Sequence, residues 1–289
     1  STRNTLTRIH QKSADLRHVV QTALERNRKK YDLQSKQLKG TEKRDKYKVY
    51  GELINTYGYN LEPGSKELTA LNYYTNEEIT IPLDPTQTPG ENAQRYFAKY
   101  NKQKRTFEAL TELIQETADD IQYLESISNA LDIALSEADL AQIKEELMQS
   151  GYIRRKHTKK KVKLTSKPMH YISSDGYDMY VGKNNLQNEE LTFSFANGND
   201  WWFHAKGAPG SHVIVKSGGD ELPDRTFEEA GRLAAYYSKN RGADKVEIDY
   251  IQKKHVKKPN GAKPGFVVYY TNYSLVIDSD ISNIKNVQD

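Results

Sequence analysis

The sequence predicts an α+β chain: a long antiparallel coiled-coil arm with a small α+β cap at its tip, followed by a compact mixed α+β domain. Three observations predict it. Ala93, Tyr100, Phe107, Ile114 and Ile121 recur every seven positions, and Tyr96, Leu110, Leu124 and Leu131 fall three residues after members of that series, an a/d seam. From Met169 onward the texture changes to short aromatic and β-branched runs punctuated by turn residues. Hydrophobic residues make up 36% of the 289, low for one compact globule, so part of the chain is expected to be elongated.

The elements follow in order. Leu6, Ile9, Leu16, Val20, Ala23, Leu24, Tyr31 and Leu38 form one apolar stripe on a helix from Thr5 to about Leu38. After Gly40 and Thr41, residues 42–57 make a second helix with Tyr47, Tyr50, Leu53, Ile54 and Tyr57 on one side, ended by Gly58 and Pro63-Gly64. Two short strands, 67–72 and 78–81, flank Thr75-Asn76, and Pro82, Pro85 and Pro89 then forbid helix or central strand. The seam occupies a helix from Asn92 to Leu131, interrupted by the polar residues Gln103 and Thr117. At about 1.5 Å per residue it runs on the order of 60 Å and needs a partner of similar length, which the first helix supplies. A shorter helix, 136–149, has Glu137 in its first turn and Gly151 past its end. This reading gives an arm over residues 1–150 with a cap inserted at about 41–88, a basic linker over 151–167 and a second domain over 168–289.

Within the second domain, 169–173 and 177–181 pair across Ser174-Asp175-Gly176, and Gly182-Lys183-Asn184-Asn185 leads into a short helix reaching about Phe195. Trp201 to Lys206 and His212 to Lys216 read as strands split by a Gly-Ala-Pro-Gly turn. Alternation puts Trp201 and Phe203 on one face and Trp202 and His204 on the other. A helix capped by Asp224 buries Phe227, Ala230, Leu233, Ala234 and Tyr237 and ends near Asn240 and Gly242. Val246 to Ile251 and Phe266 to Tyr273 are strand-like, with Leu275 to Ile277 as a last short strand.

The net charge of +4 is mild, but positive charge is concentrated in two places. Residues 152–167 carry Arg154, Arg155, Lys156, Lys159, Lys160, Lys161, Lys163 and Lys167 with no acid among them, which reads either as a solvated linker or as a phosphate-contacting segment. Lys253, Lys254, His255, Lys257, Lys258 and Lys263 sit in a loop stiffened by Pro259, Gly261, Pro264 and Gly265; restraint lowers the entropy lost on binding, which favours phosphate contact over a bland, aggregation-resisting connection. Lys183 and Asn184 offer a further anion-facing turn, although an ordinary asparagine N-cap explains them as well.

Several function classes are disfavoured. No apolar run approaches eighteen residues, 28% of residues are charged and mean hydropathy is -0.86, so neither membrane insertion nor a secretory core is expected, and the default location is cytoplasmic. There is no cysteine, which excludes disulfides and thiolate metal sites. His170, Asp200, His204 and His212 are the candidates for a metal or acid/base cluster, but no P-loop, nucleophile elbow or HExxH motif accompanies them, so neither catalysis nor a cofactor is expected. The favoured reading is RNA binding, with Lys183, Asn184, Trp202, His204, Lys206 and His212 on a surface beside Lys253, Lys254, Lys257, Lys258 and Lys263, supplemented by Arg154 and Arg155. Because a helical pattern is already running by Leu6 and the first residue is Ser1, the sequence is expected to be a piece of a longer protein.

Six blocks together resemble one family. They are Pro168-Met169-His170-Tyr171-Ile172-Ser173 with Asp175-Gly176, Val181-Gly182-Lys183-Asn184-Asn185, Trp202 through Lys206, Pro209-Gly210-Ser211-His212-Val213, Leu233 through Lys239, and Lys258-Pro259-Asn260-Gly261-Ala262-Lys263-Pro264-Gly265. Their order and spacing are similar to the NFACT-R domain. Ile81-Pro82-Leu83-Asp84-Pro85, Asn92 through Phe97 and Tyr123-Leu124-Glu125 resemble the coiled-coil region that precedes it in the bacterial fibronectin-binding and ribosome-associated quality-control members of the NFACT family. The resemblance covers essentially the whole chain, which would then be a C-terminal half. It implies binding to obstructed large ribosomal subunits carrying tRNA, in a factor that extends stalled chains with alanine. The family's N-terminal domain, credited with most tRNA recognition, would be absent, so the fragment is not expected to tail chains alone. Tyr270 through Leu275 departs from the more basic run usual at that place. The family also implies an alternative, a cell-surface adhesin that binds fibronectin.

Overall fold

The structure, a computed structural model, describes residues 2–155 and 165–287. The order of elements is α1 (Thr2–Lys39), α2 (Arg44–Tyr57), β1 (Glu67–Asn72), β2 (Glu77–Pro82), α3 (Pro89–Ile133), α4 (Glu137–Gln149), β3 (Met169–Ile172), β4 (Asp178–Val181), α5 (Asn185–Glu190), a π-helical turn (Leu191–Phe195), β5 (Trp201–Ala205), β6 (Val213–Val215), α6 (Asp224–Tyr236), β7 (Val246–Gln252), β8 (Tyr273–Ile277) and β9 (Lys285–Asn286). The chain is mixed α+β and divides into two compact units, residues 27–120 and residues 1–26 together with 121–289. The lysine-rich stretch between 156 and 164 lies outside the described residues.

In the unit of residues 27–120, α2 and the antiparallel β1–β2 hairpin close over the start of α3. Leu53, Ile54, Leu68, Ala70, Ile81, Leu83, Ala93 and Tyr96 form its core. Strand alternation explains the membership: the register pairs Leu68 with Ile81 and Ala70 with Ile79 on the inner face. Gly51 lets α2 approach α3, since a Cβ there would lie 2.7 Å from the Phe97 ring. The polar interruption Thr117 is buried, and its hydroxyl donates to Gln34 Oε1 of α1 at 2.9 Å, so the seam tolerates it because the partner helix satisfies it.

In the other unit, Leu16, Val20, Ala23 and Leu24 of α1 pack with Tyr123, Leu124, Ile127, Ala130 and Leu131 of α3 and with Leu140, Ile143 and Leu147 of α4. Ser136 caps α4 by accepting from the Asp139 N–H at 3.1 Å. Beside these helices is a seven-stranded antiparallel sheet of order β8-β7-β5-β6-β4-β3-β9. One face buries Phe203, Val213, Val215, Ile248 and Met179 under Ala230, Leu233 and Ala234 of α6. The opposite face buries Trp202, Ile214 and Ile251 under Leu191, Ala196 and Val256. Trp202 and Phe203 therefore lie on opposite faces, as alternation requires.

The structure corrects three local expectations. Phe266 to Tyr273 do not form one strand: Val268 makes an isolated bridge to Lys257 and only Tyr273 joins the sheet, as the start of β8, because Gly265 (φ +81°) and Thr271 (φ +53°) break the extended path. Asp224 is not the cap of α6; Pro223 occupies that position without a side-chain bond, and Asp224 begins the helix as a first-turn acid. The helix also ends at Tyr236, earlier than Asn240, where Ser238 turns to pair with Gly210.

Candidate nucleic-acid interface

The basic loop after β7 is held in place by groups from several elements. Its first turn, Lys253–His255, is fixed through the backbone: Lys253 N–H donates to Asp200 O at 2.8 Å and Lys254 N–H to Gly198 O at 3.0 Å. Val256, 3% exposed, anchors the next step in the core. Lys257 and Val268 then exchange two backbone bonds of 2.9 Å. Beyond the lysines, Gly265 adopts φ +81° with its would-be Cβ 2.8 Å from Asn185 Oδ1. Its carbonyl accepts from His212 Nε2 at 3.1 Å.

That histidine explains why the strand β6 begins as it does. His212 is buried, its Nδ1 lies 2.8 Å from the Thr192 hydroxyl, and its own N–H donates to Asn188 Oδ1 at 3.1 Å. With Nε2–H donating to the carbonyl, Nδ1 must accept from Thr192, which is the neutral tautomer. Burial, followed by the nearby His204, pushes the His212 pKa down to about 3. The His204 pKa is also lowered by burial, partly opposed by Asp249. Both imidazoles are neutral at pH 7, so neither presents a positive charge to a phosphate.

The remaining sequence-derived candidates separate into committed and available groups. Lys183 forms a 3.0 Å ion pair with Asp139 of α4. Burial would raise the Asp139 pKa, but hydrogen bonds from Leu135 N–H, Ser166 and Lys183 outweigh it and hold the carboxyl below its usual range. Asn184 caps α5 by accepting from Gln187 N–H at 2.9 Å, and its amide donates to Gln142 at 2.6 Å. Trp202, 1% exposed, packs against His204 (5.7 Å between centroids), His212 (5.3 Å) and Tyr269 (4.9 Å). Lys206 is exposed but pairs with Glu247 at 3.1 Å. Lys258 pairs with Glu189, and Lys263 lies over the Tyr123 ring at 4.8 Å. Arg155 pairs with Glu145 at 2.6 Å, whereas Arg154 is exposed.

Among the described residues, Lys253, Lys254 and Lys257 have no carboxylate partner. Lys254, His255 and Lys257 are exposed, and Phe266 is 37% exposed at the end of the same loop. Rigid cations with an aromatic ring nearby suit a ribose-phosphate chain whose bases can stack. Phe266 is not among the residues predicted for the site, although an aromatic directly after Pro264-Gly265 is a signal visible in the sequence. It also missed the network under the loop, in which buried Glu146 accepts from Tyr123 OH at 2.6 Å and Asn185 Nδ2 at 3.0 Å.

The candidate acid/base cluster is split: His204 and His212 stand together, with ring centroids 5.9 Å apart, but Asp200 and His170 are engaged elsewhere. Asp200 accepts from Asn197 N–H (2.7 Å) and Ser217 N–H (3.0 Å) and pairs with Lys216, which makes it a loop organiser, while His170 contacts Asp178 at 2.7 Å. Among the described residues, no three histidine, aspartate or glutamate side chains come together as a metal site, and no helix is long and apolar enough to cross a membrane.

Residues 1–166 match the NFACT N-terminal and middle domains, and residues 167–270 match the NFACT protein RNA binding domain. Over 282 residues the chain is 41% identical to "Rqc2 homolog RqcH" of Streptococcus pneumoniae serotype 2 (strain D39 / NCTC 7466), covering 97% of this chain and 51% of that protein. Over 284 residues it is 39% identical to "Rqc2 homolog RqcH" of Bacillus subtilis (strain 168), covering 96% and 49%. The chain thus spans about half the length of these relatives. A solved structure, the C-terminal part of the fibronectin/fibrinogen-binding protein from Streptococcus suis, superposes with a TM-score of 0.75 at 37% identity, covering 96% of this chain and 99% of that one.

Proposed function

The chain belongs to the NFACT family, and from that premise we propose that it is a non-catalytic, RNA- and ribosome-binding portion of a cytoplasmic ribosome-associated quality-control factor. In the whole protein it helps to hold an obstructed large subunit with its tRNA while the stalled chain is extended with alanine. The α1–α3 pairing acts as a coiled-coil arm, with the α2–β1–β2 region as its cap. The observation that carries the reading is the backbone-fixed loop whose Lys253, Lys254 and Lys257 have no carboxylate partner among the described residues, in the part that matches the RNA binding domain.

The test is titration of large ribosomal subunits at several salt concentrations with the wild type and with Lys253→Glu/Lys254→Glu/Lys257→Glu. Each lost phosphate contact lowers the slope of log K against log salt by about 0.7 to 0.9, so the triple variant loses at least about tenfold in affinity and up to about 2.7 in slope. An unchanged slope in a folded variant overturns the assignment of the loop.

A second reading, fibronectin binding at a cell surface, is favoured by the 37%-identical solved structure of a fibronectin/fibrinogen-binding protein. β8 is an edge of the sheet with Tyr273 and Val276 exposed, which suits strand addition by an extended ligand. Salt-resistant binding to immobilised fibronectin without subunit binding would replace the first reading by this one.

A further inference from the structure

Seven of the nine tyrosines in the unit of residues 27–120 fall into two sets with different surroundings. In the first set every ring already has a cation from the same unit. Lys99 lies 4.4 Å from the Tyr47 centroid, Lys46 lies 5.5 Å from Tyr50, Arg95 lies 5.4 Å from Tyr96, and Lys48 lies 5.8 Å from Tyr100. The second set has none: among the described residues no lysine or arginine lies over Tyr57, Tyr73 or Tyr74.

The second set is also exposed and ordered. Tyr57, Tyr73 and Tyr74 are 39%, 50% and 64% exposed. Tyr73 and Tyr74 stand at the β1–β2 turn with ring centroids 4.8 Å apart, and both hydroxyls donate to the same oxygen of Glu52, Oε2, at 3.1 and 2.8 Å. These bonds hold the two rings against α2 at low entropic cost for a partner. The other carboxylate oxygen of Glu52 has no partner among the described residues, and Glu52, Glu77 and Glu78 make no ion pair there. Glu77 pairs in register with Asn72 and shares the α2-facing side of the hairpin; Glu78 pairs with exposed Leu71.

Exposed tyrosine rings and unpaired carboxylates both attract cations, and rigid aromatic side chains supply contact area in protein recognition. Phosphates would be repelled by Glu52, Glu77 and Glu78, which disfavours nucleic acid and anionic lipid here. We propose that Tyr57, Tyr73 and Tyr74, with Glu52 and Glu77, form a docking surface for an arginine- or lysine-bearing segment of a protein partner. Cationic side chains lie over the tyrosine rings and against the free oxygen of Glu52. This goes beyond the RNA-binding reading and uses none of its residues.

The experiment measures fluorescence anisotropy of the full chain with a labelled decapeptide alternating arginine and glycine, against a glutamate–glycine counterpart and a labelled single-stranded RNA. Expected are selective binding of the arginine peptide, loss of about tenfold in affinity in Tyr73→Ala/Tyr74→Ala, and retention within about threefold in Tyr73→Phe/Tyr74→Phe, which keeps the rings. The Lys253→Glu/Lys254→Glu/Lys257→Glu variant keeps wild-type peptide affinity, so this result is independent of the RNA reading. Absence of arginine-peptide binding by the wild type overturns the proposal, as does equal affinity in the folded Tyr73→Ala/Tyr74→Ala variant. Should that variant fail to fold by circular dichroism, Glu52→Gln/Glu77→Gln decides: about a threefold loss or more supports the surface, and no loss overturns it. RNA affinity that falls with the tyrosines while peptide affinity does not would also overturn it.

Discussion

Two lysine-bearing stretches look alike in sequence and end in opposite situations. Lys183 follows a glycine at a helix start, next to two asparagines; Lys253, Lys254 and Lys257 follow a strand and precede a proline-glycine loop. In the fold, Lys183 points inward to Asp139, and its neighbour Asn184 caps α5 and bonds Gln142. Lys253, Lys254 and Lys257 have no acid partner among the described residues, on a backbone fixed by Asp200, Val256, Val268 and His212. A lysine is withheld from a phosphate when its carboxylate partner is buried, as Asp139 is, whereas an exposed ion pair contributes too little to hold it. That comparison predicts a division of labour, with stability on the inward side and affinity on the outward side.

The largest expected effect tests the support beneath the outward loop. His212 has a folded pKa of about 3, well below the usual 6.5, so the unfolded chain takes up a proton that the folded chain refuses. Its contribution to stability is complete above pH 6.5 and falls as the pH drops from 6.5 towards 3, by about 2 kcal/mol between pH 6.5 and 4.5. Buried Glu146, whose pKa is raised by burial, acts in the opposite direction. Urea unfolding at the two pH values should therefore show a steeper acid loss in the wild type than in His212→Gln; equal slopes would remove His212 as the acid-sensitive clamp.

On the inward side, Asp139→Ala strips Lys183, Ser166 and the Leu135 N–H of their shared acceptor and is expected to cost about 2 kcal/mol by thermal unfolding, with subunit affinity unchanged in the folded protein. A loss of affinity with stability intact would erase the contrast. Gly265→Ala is expected to cost about 1 to 2 kcal/mol, because φ is +81° and the new Cβ meets Asn185. It should also weaken subunit binding by displacing the lysines, and a silent substitution would show that the loop needs no clamp. Smallest in stability is Lys253→Glu/Lys254→Glu/Lys257→Glu, within about 0.5 kcal/mol, although its effect on affinity is the greatest of the series.

Legibility differed between the helices and the second domain. The a/d spacing located α3 to within a few residues, because a buried stripe must repeat with the helix whatever it packs against. Alternation likewise separated Trp202 from Phe203. Residues 266–273 misled because their composition is that of a strand, while their conformation is decided by the non-local pair Lys257–Val268 and the turn at Thr271. At the site, the basic loop and its stiffness were visible in its lysines, prolines and glycines. The commitment of Lys183, Asn184, Trp202, Lys206 and Lys258 was not, because their partners Asp139, Gln142, Tyr269, Glu247 and Glu189 are mostly far away in sequence.

The sequence by itself determined the long helices, the change to short strands at Met169, the lysine-rich loop and the family resemblance, since each rests on periodicity, turn chemistry or composition within a local window. Only the tertiary structure decided which lysines face a carboxylate, that His212 is a neutral clamp, and that Tyr73 and Tyr74 converge on Glu52. Those outcomes depend on desolvation and on distances between residues remote in the chain, which no local pattern encodes.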